Sequence, residues 1–120
     1  MSLIILAVAL EAIVGVALIV SPSPAAVLVF GGALSAPGEA IGRLAGVALL
    51  ALAVACSPSA AKGPSSDLRG LLAYNLLATI FFLSVGIDGR SVGVLLWPVV
   101  GLHAILTALI LRAWVVAKQK

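Results

Sequence analysis

Charge is what this chain mostly does without. Asp, Glu, Lys and Arg make up 9% of its 120 residues, against 63% hydrophobic residues, and its mean hydropathy is +1.32. A water-soluble domain is about 45–50% apolar and about 25% charged. This composition cannot coat a surface that faces water, so the solvent must be lipid. Aromatic residues are also scarce, with three Phe, two Trp and one Tyr. They are not interleaved with basic residues, which removes single-stranded nucleic acid as a partner. With one cysteine, Cys56, the chain has no internal disulfide to make. No Walker loop, HExxH, CxxC or Rossmann glycine pattern occurs, and no residues stand at metal-ligand spacing. His103 is the single histidine, so a bis-His haem is excluded. Nothing in the sequence calls for a cofactor or a metal, and catalysis is the least favoured class of function.

What is present is a set of apolar runs. A chain of 120 residues makes one domain, and four of its runs approach the roughly 20 residues a helix needs to cross the hydrocarbon. They cover about residues 3–20, 38–56, 68–86 and 91–116. The fold expected is all-α, an integral membrane four-helix antiparallel bundle. The first run begins MSLII, with no Lys or Arg, and is read as a retained span and not as a cleaved signal. It stops at SPSP, because Pro22 and Pro24 cannot continue it. Ser35 and Pro37 supply a cap and a first-turn residue for the second span. Asp67 and Ser91 are the expected caps of the third and fourth. Residues 25–34, AAVLVFGGAL, are too short to cross and are assigned to the membrane interface.

The basic residues set an orientation. Lys62, Arg69, Arg112, Lys118 and Lys120 share the side of the 57–67 loop and both termini, whereas Arg90 and Arg43 lie towards the other. This asymmetry predicts both termini in the cytoplasm.

Each span also holds a residue that lipid disfavours: Glu11, Arg43, Tyr74 with Asn75, and His103. At a rise of about 1.5 Å per residue, Glu11, Asn75 and His103 come out roughly 10–12 Å from the cytoplasmic face. Arg43 is higher, with a side chain long enough to point inward. A charge at mid-bilayer costs at least about 2.5–3.5 kcal/mol, so these residues should face one another, and Glu11 is expected to meet Arg43 or, failing that, His103. Two readings stand at this point. Asn75, Thr79 and Thr107 serve as plain interhelical hydrogen bonds, Arg43 forms a rim salt bridge with Glu39, and Glu11 and His103 are structural. Alternatively, the cluster Glu11, Arg43, Asn75 and His103 holds a proton or a ligand.

Packing residues are clearer. Gly38, Gly42 and Gly46 form GEAIGRLAG, two overlapping GxxxG steps that let another backbone approach closely. Pro98, after Trp97, is expected to kink the fourth span by leaving the Val94 carbonyl unpaired.

The strings EAIVGVALIVSP, GRLAGVALLALAVAC, LLAYNLLATIFFL and LLWPVVGLHAILTALILRAW resemble a widespread family of small, uncharacterised four-span bacterial inner-membrane proteins. Glu11, Arg43, Asn75, Trp97, Pro98 and His103 fall inside these strings. The resemblance implies the four-helix fold and an inner-membrane location, and brings no activity with it. Small multidrug transporters share the mid-span carboxylate of the first helix but not their pore aromatics. Small fluoride channels share the length but not their paired phenylalanines.

The function expected is that of a non-enzymatic membrane protein, either an accessory subunit packed into a membrane complex or a homo-oligomer. Its partners would be the lipid bilayer and other membrane subunits or copies of itself. The alternative is a small proton-linked carrier or binder of an apolar or cationic molecule, using Glu11 and His103.

Overall fold

A computed structural model describes residues 3–58 and 64–119, with the side chains of 64–66 left aside. Lys62 and Lys120 lie outside the described residues. The described residues form five helices and no strand: α1 (Leu3–Val20), α2 (Pro22–Phe30), α3 (Ala36–Ala55), α4 (Pro64–Asp88) and α5 (Leu96–Lys118). All but α2 are long and apolar enough to cross a membrane.

Local chemistry sets the boundaries. Ser21 is extended between α1 and α2. Pro22 then starts a new helix, because a first-turn proline gives up an N–H that has no helical partner. The prolines that end α1 therefore also begin α2, and most of the segment assigned to the interface is helical. Ser35 caps α3 through its hydroxyl, which accepts from the Gly38 N–H at 3.3 Å. Asp67 does not cap α4, which starts three residues earlier at Pro64 and carries Asp67 buried in its first turn. Ser91 caps nothing, since α5 begins only at Leu96. The chain leaves α4 through Gly89, whose φ of 73° is left-handed and whose N–H bonds the Val85 carbonyl at 3.1 Å.

This late start of α5 overturns the kink expected at Pro98. Pro98 stands in the first turn of the helix and Val94 precedes it. No helical hydrogen bond is lost there, and the first bond of the helix runs from the Val99 N–H to the Leu95 carbonyl at 2.9 Å.

Most packing lies within two antiparallel hairpins, α1 against α3 and α4 against α5. In the first, Gly15 lies beside Gly46 and Leu50, and further along Pro22 meets Gly42. In the second, Asn75 meets His103 and Gly86 meets Trp97. The hairpins touch each other over far fewer residues. At the end that holds the helix termini 3, 55, 64 and 118, they share a buried apolar cluster of Ala7, Cys56, Leu68, Leu71, Leu106 and Ile110. At the other end the main chain joins them. The Gly93 N–H donates to the Val29 carbonyl at 2.9 Å, and the Leu95 N–H to the Leu28 carbonyl at 2.8 Å. Gly93 permits this approach, because a Cβ there would collide with the Leu28 carbonyl. Gly31, at φ 76°, turns the chain out of α2 beside Val92.

The GEAIGRLAG glycines fall on three different neighbours. A Cβ on Gly46 would stand 2.6 Å from the Gly15 carbonyl oxygen, and one on Gly42 would stand 2.6 Å from Cβ of Pro22. At Gly38 the nearest atoms, in Leu34 and Ser35, are an ordinary 3.4 Å away. The backbones of α1 and α3 thus cross most closely at Gly15 on Gly46, and Gly15 is part of this crossing although it lies outside the GxxxG run.

Candidate functional site

α1 turns one narrow stripe inward: Ala7, Glu11 and Gly15, four residues apart. The small residues on either side bring neighbouring helices close to the level of Glu11, whose carboxyl is buried. Its partner is the Tyr74 hydroxyl on α4. Neither Arg43 nor His103 takes that place.

Arg43 points away from the interior. Its side chain is 54% exposed and lies 3.5 Å from Glu39, one turn earlier on the same helix. The Ser23 hydroxyl at the start of α2 donates to the other Glu39 oxygen. Ser23, Glu39 and Arg43 thus make a rim cluster that ties α2 to α3, and Arg43 drops out of the intramembrane group. Among the described residues, the only other ion pair is Arg90 with Asp88, 3.4 Å apart, so Glu11 faces a phenol and no cation.

Asn75, Tyr74 and His103 do come together. Asn75 is fully buried. Its Nδ2 donates to the Leu71 carbonyl at 2.9 Å, and its Oδ1 lies 2.9 Å from His103 Nδ1 on α5. With Nδ2 already donating, Oδ1 is the acceptor, which assigns the ring hydrogen to Nδ1 and leaves Nε2 as the acceptor nitrogen. The imidazole stacks on Phe82, with centroids 5.6 Å apart at 16°, and meets Tyr74 edge-on at 5.8 Å. Phe82 continues to Phe30 and Phe81. All three phenylalanines and the single tyrosine of the chain thus form one column with His103. The threonines do not bridge helices. Thr79 and Thr107 each donate at 2.7 Å to the carbonyl four residues back, of Asn75 and His103. The one side-chain bond across α4 and α5 in this stripe is Asn75 to His103.

Sequence reasoning placed Tyr74 among the polar residues but passed over it as the partner of Glu11. The available signal was chemical: a tyrosine deep in a span needs a partner for its O–H, and Tyr74 adjoins Asn75. The role of Phe82 left no signal, because phenylalanine is at home anywhere in lipid.

A cleft of about 510 Å³ opens at the α2 end of the molecule. Phe30, Leu34, Phe81 and Val85 make its apolar wall, and Ser84, Asp88 and Ser91 its polar side. None of Glu11, Arg43, Asn75 or His103 lines it. Among the described residues, no three His, Cys, Asp or Glu side chains cluster as a metal site would require. At the other end, the buried Trp114 indole N–H finds no hydrogen-bond partner among the described residues, while the Lys118 ammonium sits 4.0 Å above the ring.

Four long apolar helices with polar groups turned inward are the make-up of a multi-pass helical membrane protein. No protein family, curated protein or solved structure matches the chain.

Proposed function

We propose that this chain is a non-enzymatic integral membrane protein that works by packing, as an accessory subunit of a membrane complex or as a homo-oligomer. The location proposed is the bacterial inner membrane, with both termini cytoplasmic and α2 lying at the opposite interface. In the bilayer the two hairpins close into an antiparallel four-helix bundle, as in the small four-span family that the sequence resembles. One observation carries this reading: at mid-span the polar side chains are paired inside the protein, Glu11 with Tyr74 and Asn75 with His103. Large apolar side chains such as Ile13, Ile41, Leu44, Leu77 and Ile105 cover the outside, available to lipid or to neighbouring subunits. Native mass spectrometry of the full chain, released from nanodiscs, tests it. Two or more copies, or one copy with a stoichiometric protein partner, are expected. A lone monomer with no partner would overturn it.

A second reading rests on the absence of a cation beside Glu11 among the described residues. A buried carboxyl facing only a phenol suits proton exchange in a small carrier, with His103 Nε2 as a further acceptor. Proton-driven uptake of an apolar or cationic dye into proteoliposomes, abolished by Glu11→Gln, would favour the carrier. Equal uptake by both proteins would remove it.

A further inference from the structure

The cleft at the α2 end combines features that no function given above uses. Its wall is aromatic and aliphatic, from Phe30, Phe81 and Leu34, and its polar side carries a carboxylate and two hydroxyls, from Asp88, Ser84 and Ser91. Its volume of about 510 Å³ lies in the range of small-molecule sites, about 300–1,000 Å³. Its position is equally specific. Asp88 is the last residue of the membrane-crossing stretch of α4, and Leu34 precedes α3 by two residues. The apolar wall therefore sits at the edge of the hydrocarbon and the polar side at headgroup level.

We propose that this cleft binds a phospholipid whose head carries a primary ammonium beside its phosphate, as in phosphatidylethanolamine. The two charges of such a head match the Asp88 carboxylate of the cleft lining and its ion-pair partner, the Arg90 guanidinium, 3.4 Å away. Both side chains are largely exposed, and exposed ion pairs contribute little. Each group can therefore exchange its present partner for the opposite charge of the lipid head at small cost. The ammonium has three N–H donors, and the cleft offers three acceptors: the Asp88 carboxylate, Ser84 Oγ and Ser91 Oγ. Ser84 now donates to the Phe81 carbonyl at 2.7 Å, which leaves its lone pairs to accept. A quaternary choline head has no N–H to donate, and an anionic glycerol head has no cation for Asp88. An acyl chain lies along Phe30 and Phe81, which meet edge to face with centroids 6.5 Å apart.

Native mass spectrometry of the full chain in mild detergent reads this directly. Phosphatidylethanolamine, phosphatidylcholine and phosphatidylglycerol with identical acyl chains serve as probes, and free phosphoethanolamine as a head without a tail. One phosphatidylethanolamine should be retained per chain, with about tenfold preference over phosphatidylcholine, the worth of one charge-assisted hydrogen bond. Asp88→Asn keeps the shape, lies at an exposed helix end, and should abolish that preference while sparing phosphatidylglycerol. Ala33→Trp, on the cleft lining, should lower retention of all three lipids. Free phosphoethanolamine should bind far more weakly than the lipid, since it has nothing to lay along the phenylalanines. Equal retention of the three lipids would overturn the proposal. So would a preference for phosphatidylethanolamine that survives Asp88→Asn, or free phosphoethanolamine binding as tightly as the lipid.

Discussion

Replacing Tyr74 by Phe removes one oxygen and leaves the ring where it is. The cost falls on Glu11, whose buried carboxyl loses its partner, and leaving such a group unpaired costs about 1–3 kcal/mol. Glu11→Met removes the other half and strands the Tyr74 hydroxyl. The two together should cost less than the sum of the single changes, with a coupling of about 0.5–3 kcal/mol. Thermal unfolding in mild detergent measures all four corners of the cycle. Strict additivity would show that the two groups do not depend on one another. The pair was half legible in the sequence. A helical rise of about 1.5 Å per residue fixes the depth of Glu11, Asn75 and His103, and Asn75 does meet His103 across helices. Depth does not fix direction around a helix. Arg43 falls on the outer side of α3, beside Glu39, so the strongest donor available on paper is turned away from the carboxyl.

At the scale of a helix, the glycines separate into those that something leans on and those that nothing touches. Gly46→Leu forces a branched side chain between α1 and α3, where even a Cβ would stand 2.6 Å from the Gly15 carbonyl oxygen. Overfilling a packed interior costs about 1–3 kcal/mol, and this site belongs at the upper end because backbone, not a flexible side chain, stands in the way. Gly101 is the opposite case: it lies inside α5, and a Cβ there meets nothing within 4 Å. Gly101→Ala should stabilise by about 0.5–1 kcal/mol through helix propensity alone. Unfolding temperatures of opposite sign for the two variants are the expected result, and a destabilising Gly101→Ala would contradict it. Helix ends were less legible than helix existence. Apolar runs mark all four long helices, because hydropathy accumulates over many residues. The starts of α4 and α5 hang on single residues, and there Asp67 and Ser91 carried the right side chain for a cap at the wrong place. Pro98 illustrates the consequence: its effect depends on where the helix begins, and the 91–95 stretch reads as apolar helix while its backbone is engaged with α2.

For the whole molecule, the open question is which way round it sits. Five basic residues against two favour both termini in the cytoplasm. With Cys56 first replaced by Ala, single cysteines at Gln119 and Arg90 settle it. Both positions are exposed, and a membrane-impermeant thiol reagent added to whole cells should label position 90 and spare 119. The reverse pattern would invert the topology and move the cleft to the cytoplasmic leaflet.

The main-chain bonds from Gly93 and Leu95 to Val29 and Leu28 constrain the order in which the protein can be completed during synthesis. The carbonyls of Leu28 and Val29 are made long before the amides that satisfy them. A carbonyl left bare in hydrocarbon costs several kcal/mol, so the last turn of α2 has to wait where water reaches it. Only when residues 93 to 95 have emerged from the ribosome and crossed to the same side can that turn settle against them. The last turn of α2 therefore reaches its final setting only after α4 has traversed the bilayer, against a segment translated sixty-odd residues later.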